Sequence, residues 1–140
     1  MLLKTGGTSE DLRDYKTESG NRALSFIRAI YSLTEWSLFL VRLYEAIDNI
    51  DSVTITIRLV GCKNRQLASF DSSVILHSQW YESHEDTIEV KRTYTFEEMR
   101  ASGNDIAGKV AKHIFHVFNW TDVTDDTIHF WQNKLLTRTY

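Results

Sequence analysis

The chain has 140 residues, of which 42% are hydrophobic, 25% charged and 12% aromatic. That is enough chain for one domain with its own core, and the proportions exclude a disordered segment, a collagen and a small disulfide-stapled scaffold. Lys and Arg number 16 against 19 Asp and Glu, a formal net charge of −3, without the basic surplus that phosphate neutralisation asks of a dedicated DNA binder.

Cys62 is the single cysteine, which rules out an intramolecular disulfide and suits a reducing compartment. No apolar run approaches the roughly 18 residues of a bilayer span; the best, Trp36 to Leu43, is broken by Arg42. The first residues, Met-Leu-Leu-Lys-Thr-Gly-Gly-Thr, lack the apolar stretch of a secretory signal. A cytoplasmic protein without membrane attachment is expected. Proline is absent, so Gly, Asn and Asp must mark the turns.

Residues 1–20 are polar and glycine-bearing and read as a flexible tail or linker, with the character of a piece of a longer protein. From Asn21 to Asn49 the pattern is helical, with Leu24, Ile27, Ile30 and Tyr31 on one face. Ser32-Leu33-Thr34-Glu35 has the form of a capping box, so this region is one helix or a helix pair. Trp36, Phe39, Leu40, Leu43, Tyr44 and Ile47 then form one wide apolar face, with Leu38 and Val41 off the main stripe. A helix this apolar is either central to the core or carries a second contact face.

Asp48 to Asp51 reads as a turn. Val53, Ile55, Ile57 and Leu59 alternate with Thr54, Thr56 and Arg58, a strand pattern. Gly61 to Asn64 ends it, a return can run from Arg65 to Phe70, and a further strand is expected over Ser73 to Trp80. After the acidic loop Glu82 to Asp86, Thr87 to Tyr94 alternates again. Short connections favour an antiparallel sheet. Thr95-Phe96-Glu97-Glu98 is a second capping box, Gly103-Asn104 divides the helical region that follows, and Asn104 or Asp105 can cap its second part to about Asn119. Thr124 can cap a last helix through Ile128, Trp131 and Leu135. The fold class is therefore α+β: an N-terminal helix or helix pair, an antiparallel sheet of three to four strands, then C-terminal helices, in a single domain over residues 21–140.

No catalytic constellation emerges. His113 and His116 have a spacing that can hold a metal, but Lys109 and Lys112 beside them disfavour a cation, so no metal site is assigned. Cys62 lies beside Lys63, which can lower a thiol pKa, yet nothing in the sequence brings a histidine to it. No glycine-rich phosphate loop is present, and no cofactor is expected. Arg58, Lys63, Arg65, Lys91 and Arg92 would make a basic patch on an exposed sheet face if their strands are adjacent.

Val53 to Leu67 reads as a strand plus basic turn. Glu89 to Met99, followed by Ile114-Phe115-His116-Val117-Phe118-Asn119-Trp120, reads as a strand, a capped helix and a closing aromatic segment. Together with Phe39-Leu40-Val41-Arg42-Leu43-Tyr44, these stretches resemble the region C-terminal to the Schlafen/AlbA-type domain of bacterial proteins described as DNA-binding, ATP-binding or transcriptional regulators. The resemblance covers residues 30–120, with Asn119 where that pattern has Gly. In that family the candidate nucleotide-binding and catalytic residues belong to the other domain, so the resemblance implies an accessory module and assigns no functional residue here.

The reading that follows is a non-enzymatic accessory or assembly domain of a larger bacterial cytoplasmic protein. Its partner would be a protein, either a second copy in a homodimer or another domain of the parent chain. Trp36, Leu38, Val41 and Leu43 are the candidate interface. Two other classes stay open: nucleic-acid binding through the five basic residues, and a small-ligand sensor or enzyme with a helix–sheet pocket using His77 or His84.

Overall fold

The computed structural model describes residues 15–16, 22–47, 49–69, 71 and 73–138. Most of the expected tail, 1–14 and 17–20, lies outside them. In chain order the elements are β1 (Tyr15–Lys16), β2 (Arg22–Ser25), α1 (Phe26–Glu45), β3 (Ser52–Leu59), β4 (Gln66–Ala68), a 3₁₀ turn (Ser78–Trp80), β5 (Ile88–Thr95), α2 (Phe96–Val117) and α3 (Asp125–Leu136). The class is α+β: two short strands precede α1, three strands follow it, and α2 and α3 close the chain.

Local chemistry fixes most boundaries. Ser25 caps α1, its Oγ accepting from Arg28 N at 3.3 Å. The helix therefore starts later than the periodicity predicts, and Arg22–Ser25 is a short strand. The Ser32–Glu35 segment lies inside α1, which runs unbroken for 20 residues. The capping box at Thr95 is complete: Thr95 Oγ1 accepts from Glu98 N and Glu98 Oε2 accepts from Thr95 N. Thr124 caps α3 by accepting from Thr127 N at 3.2 Å. Helix α2 ends in a Schellman arrangement. Asn119 takes the left-handed conformation at φ 68°, Asn119 N donates to His116 O, and Trp120 N returns to Phe115 O at 2.9 Å. Asparagine thus supplies the stop that glycine usually provides.

The strands divide between two sheets rather than forming one. β3 and β5 pair antiparallel over eight residues each, from Ser52 opposite Thr95 to Leu59 opposite Ile88. β1, β2 and β4 form the other sheet, with β2 antiparallel to β1 and parallel to β4. A bend at Gly61 (φ 70°) and Asn64 (φ 62°) joins β3 to β4. Hydrogen bonds follow the chain round it: Cys62 N to Asp86 O, Asn64 N to Ser83 O and Leu67 N to Tyr81 O, each 2.8 Å. The strand expected over Ser73 to Trp80 does not form. Asp71 instead draws the Ser73 N–H and hydroxyl onto its carboxylate, a side-chain turn that competes with strand pairing, and the segment closes in the 3₁₀ turn.

Two apolar clusters lie along α1. The larger gathers Phe26 and Ile30 with Phe115, Phe118, Trp120, Ile128 and Trp131. Phe26 meets Phe115, Trp120 and Trp131 edge-on, with centroids 5.1–6.3 Å apart, the arrangement aromatic quadrupoles favour. The smaller contains Tyr44, Val53, Met99 and Ile106. Between them is a polar belt. Ser37 Oγ donates to Gly103 O at 2.8 Å, and Gln132 Nε2 donates to Thr34 Oγ1 and to Asn104 O. The belt sits where α2 kinks, at Ser102 (φ −137°, ψ 28°). A Cβ on Gly103 would stand 3.0 Å from Ser37 Oγ, so glycine is what allows α2 to approach α1 this closely.

Candidate functional site

The stripe that α1 buries is not the widest apolar stripe in its sequence. Phe26, Ile30, Thr34, Ser37 and Tyr44 are the buried residues, at helical spacings of four, four, three and seven. Trp36, Phe39 and Leu43 lie about a third of a turn round the helix from them, and Ile47 follows the C-cap Ala46. Of these, Phe39 is 51% exposed, and Trp36, Leu43 and Ile47 are half-buried. None of the four packs into either cluster among the described residues. Leu40 sits where the two faces meet and packs on the smaller cluster.

The four expected interface residues therefore separate. Trp36 and Leu43 lie on the open face. Leu38 is half-buried and projects from another side of the helix. Val41 turns inward onto the smaller cluster, because three residues beyond Leu38 the helix brings it back beside Tyr44. Phe39, assigned by periodicity to the main apolar face, is the most exposed member of the open one.

The five basic residues are not brought together. Arg58 and Lys91 share the outer face of the β3–β5 ribbon, but Arg58 stands opposite Glu89, with Arg58 Nε 3.9 Å from its Oε2. Both side chains are more than half exposed, so this ion pair contributes little to stability. Arg92 stands opposite Ile55 and so belongs to the other face. Arg65 is buried, at 5% exposure, because the bend folds it under the returning segment, where its carbonyl accepts from Ser83 N at 3.0 Å. Lys63 is exposed on the bend itself. Tyr94 is half-buried against the smaller cluster, and Trp80 lies on the 3₁₀ turn stacked on His77 at 4.5 Å. The sheet face thus has neither the full basic set nor an aromatic platform.

Burial pushes the Cys62 thiol above its usual pKa; Arg65 opposes the shift and Asp86 adds to it. Burial thus outweighs any lowering of the thiol pKa by the neighbouring Lys63. No group of three or more His, Cys, Asp or Glu that could hold a metal exists among the described residues. A groove of about 240 Å³ lies between α2 and α3, lined by Asp105, Gly108, Lys109, Asp125, Ile128 and His129. His129 Nε2 is 3.3 Å from Asp105 Oδ1, and Lys112 Nζ is 3.1 Å from Asp125 Oδ1. His77 and His84 do not line it. Among the described residues no helix is long and apolar enough to cross a membrane.

Sequence pattern alone missed the polar belt. Thr34, Ser37 and Gln132 are buried in it. The available signal was the row Ile30, Thr34, Ser37, Val41, Tyr44, whose two hydroxyl residues interrupt the apolar pattern.

No family model matches the chain, and no curated protein or solved structure shows significant similarity to it.

Proposed function

We propose that this is a non-enzymatic docking module of a bacterial cytoplasmic protein, which binds a protein partner through the open face of α1. One observation carries the reading: Trp36, Phe39 and Leu43 form an apolar row on α1, with Ile47 just past its C-cap, that the two clusters leave out among the described residues. Scattered apolar residues are ordinary on a surface, but a helical row of three large ones, Trp36, Phe39 and Leu43, suits a contact site. The accessory role implied by the Schlafen/AlbA-region resemblance points the same way, and a single buried cysteine suits the cytoplasm.

The test is a photo-cross-linking residue placed at Phe39, and separately at Glu45, which is exposed on the far side of the helix, in the protein expressed in cells. The expected result is a discrete cross-linked species from position 39 that disappears when Leu43→Glu is added. Equal labelling from both positions, or none from position 39, would overturn the reading.

A further inference from the structure

The β3–β5 ribbon has two outer edges of unlike chemistry. Phe96 N donates to Asp51 O at 3.1 Å, which makes Asp51 and Phe96 a hydrogen-bonded pair next to Ser52 and Thr95. Hydrogen-bonded and non-hydrogen-bonded pairs alternate in an antiparallel ladder. Val53, Ile55 and Ile57 therefore turn their N–H and C=O groups toward β5. Ser52, Thr54, Thr56 and Arg58 turn theirs outward. The Thr54 and Thr93 hydroxyls, 2.9 Å apart, fit the close side chains of a non-hydrogen-bonded pair. Among the described residues no strand pairs with that outward edge.

Soluble proteins usually guard a long edge strand with charge, proline or a bulge. β5 carries Glu89, Lys91 and Arg92. β3 has no charge, proline or glycine from Ser52 to Ile57, and five of those six residues, all but Ser52, are β-branched Val, Thr or Ile. Burial is unequal as well. On the core-facing side Ile88 and Val90 of β5 are 3% and 2% exposed and Val53 of β3 is 4% exposed, whereas Ile55, Ile57 and Leu59 of β3 are only half-buried.

We infer that β3 pairs antiparallel with β3 of a second copy of this chain, making a continuous four-stranded sheet, β5–β3–β3–β5, across a two-fold axis. The pleat permits only registers that keep apolar residues on one face, and centring the axis on Ile55 satisfies it. Ile55 then meets Ile55 of the second copy, Val53 meets Ile57, Thr54 meets Thr56, and Ser52 meets Arg58. No like charges stand opposite one another, which a two-fold interface needs because every patch meets itself. The half-covered row Ile55–Ile57 gains apolar neighbours. This surface is separate from the α1 face, and the two proposals stand or fall separately.

The test joins solution mass to residue-resolved amide hydrogen exchange over a concentration series of the whole chain. The expected result is a doubling of mass, with the Thr54 and Thr56 amides gaining protection in step with it and the Ile55 and Ile57 amides protected throughout. Thr56→Pro removes one outward N–H and spares the β3–β5 ladder, so it should give the protomer mass with an unchanged circular dichroism spectrum. Phe39→Glu should leave the dimer intact. A protomer mass at every concentration overturns the inference. So does a dimer whose Thr54 and Thr56 amides exchange freely, or protection of those amides in the protomer, which would mean the chain covers its own edge. Should Thr56→Pro fail to fold, the exchange pattern of the unaltered protein decides.

Discussion

Phe26 and Tyr44 are both buried on α1, yet they anchor cores of different make. Around Phe26, three aromatic rings from α2, α3 and the segment between them close on one side chain. Around Tyr44, Val53, Met99 and Ile106 are the buried members among the described residues, with Leu40, Val41 and Ile55 half-buried against them. The first end is filled by large rings, though apolar side chains beside it in the chain, Ile75, Trp80 and Phe130 among them, remain exposed. The second is smaller, and Phe39 on the same helix stays 51% exposed. In a chain of this size stability can rest on one well-filled cluster, which leaves the other end available for contact.

The comparison can be broken at its strongest point. Phe115→Ala should destabilise the protein by about 3–5 kcal/mol, measured by urea unfolding, because Phe115 is fully buried among aromatic rings. Val53→Ala in the smaller cluster should cost about 2 kcal/mol or less. Equal losses would mean that the two ends share the work of folding. The belt between them comes next. Gln132→Ala removes the donor to both Thr34 Oγ1 and Asn104 O and should cost about 1–3 kcal/mol, since buried acceptors are left without it. Thr95→Ala, which breaks the capping box where β5 passes into α2, should cost about 1 kcal/mol by the same measurement.

Cys62 reports on whether the larger cluster is closed. Its pKa is raised, chiefly by burial, so the neutral thiol is favoured in the folded state. The stability this contributes is present below the unfolded-state pKa and is lost as pH rises through the folded one. Alkylation at neutral pH should therefore be slow in the folded protein and complete after denaturation. Rapid alkylation of the folded protein would show that this end opens readily.

What the sequence makes legible follows from how local each signal is. The Thr95 capping box, the Thr124 cap and the alternation of β3 and β5 are each set within a few residues and appear as expected. Arg22–Ser25 is not legible as a strand, because its partner Gln66–Ala68 is distant in sequence and Leu24 falls by chance on the helical repeat of Ile27 and Ile30. The division of strands between two sheets depends on the bend at Gly61 and Asn64, a tertiary choice. The same holds for α1. Its composition declares an excess of apolar residues, but which face turns inward is decided by small side chains. Ser37 and Gly103 allow α2 to approach, and that approach places Thr34 inside and Phe39 outside. Arg65 illustrates the limit for the basic set, since nothing in its neighbourhood announces that the bend will bury it.

The central claim is that Phe39 and its neighbours lie outside the protomer's own core. Urea unfolding of Phe39→Glu tests it most directly. The account predicts a stability within about 0.5 kcal/mol of the unaltered protein, as for a surface substitution that disturbs no packing. A loss of about 2 kcal/mol or more would place Phe39 in the protomer's core, and the docking face would no longer exist.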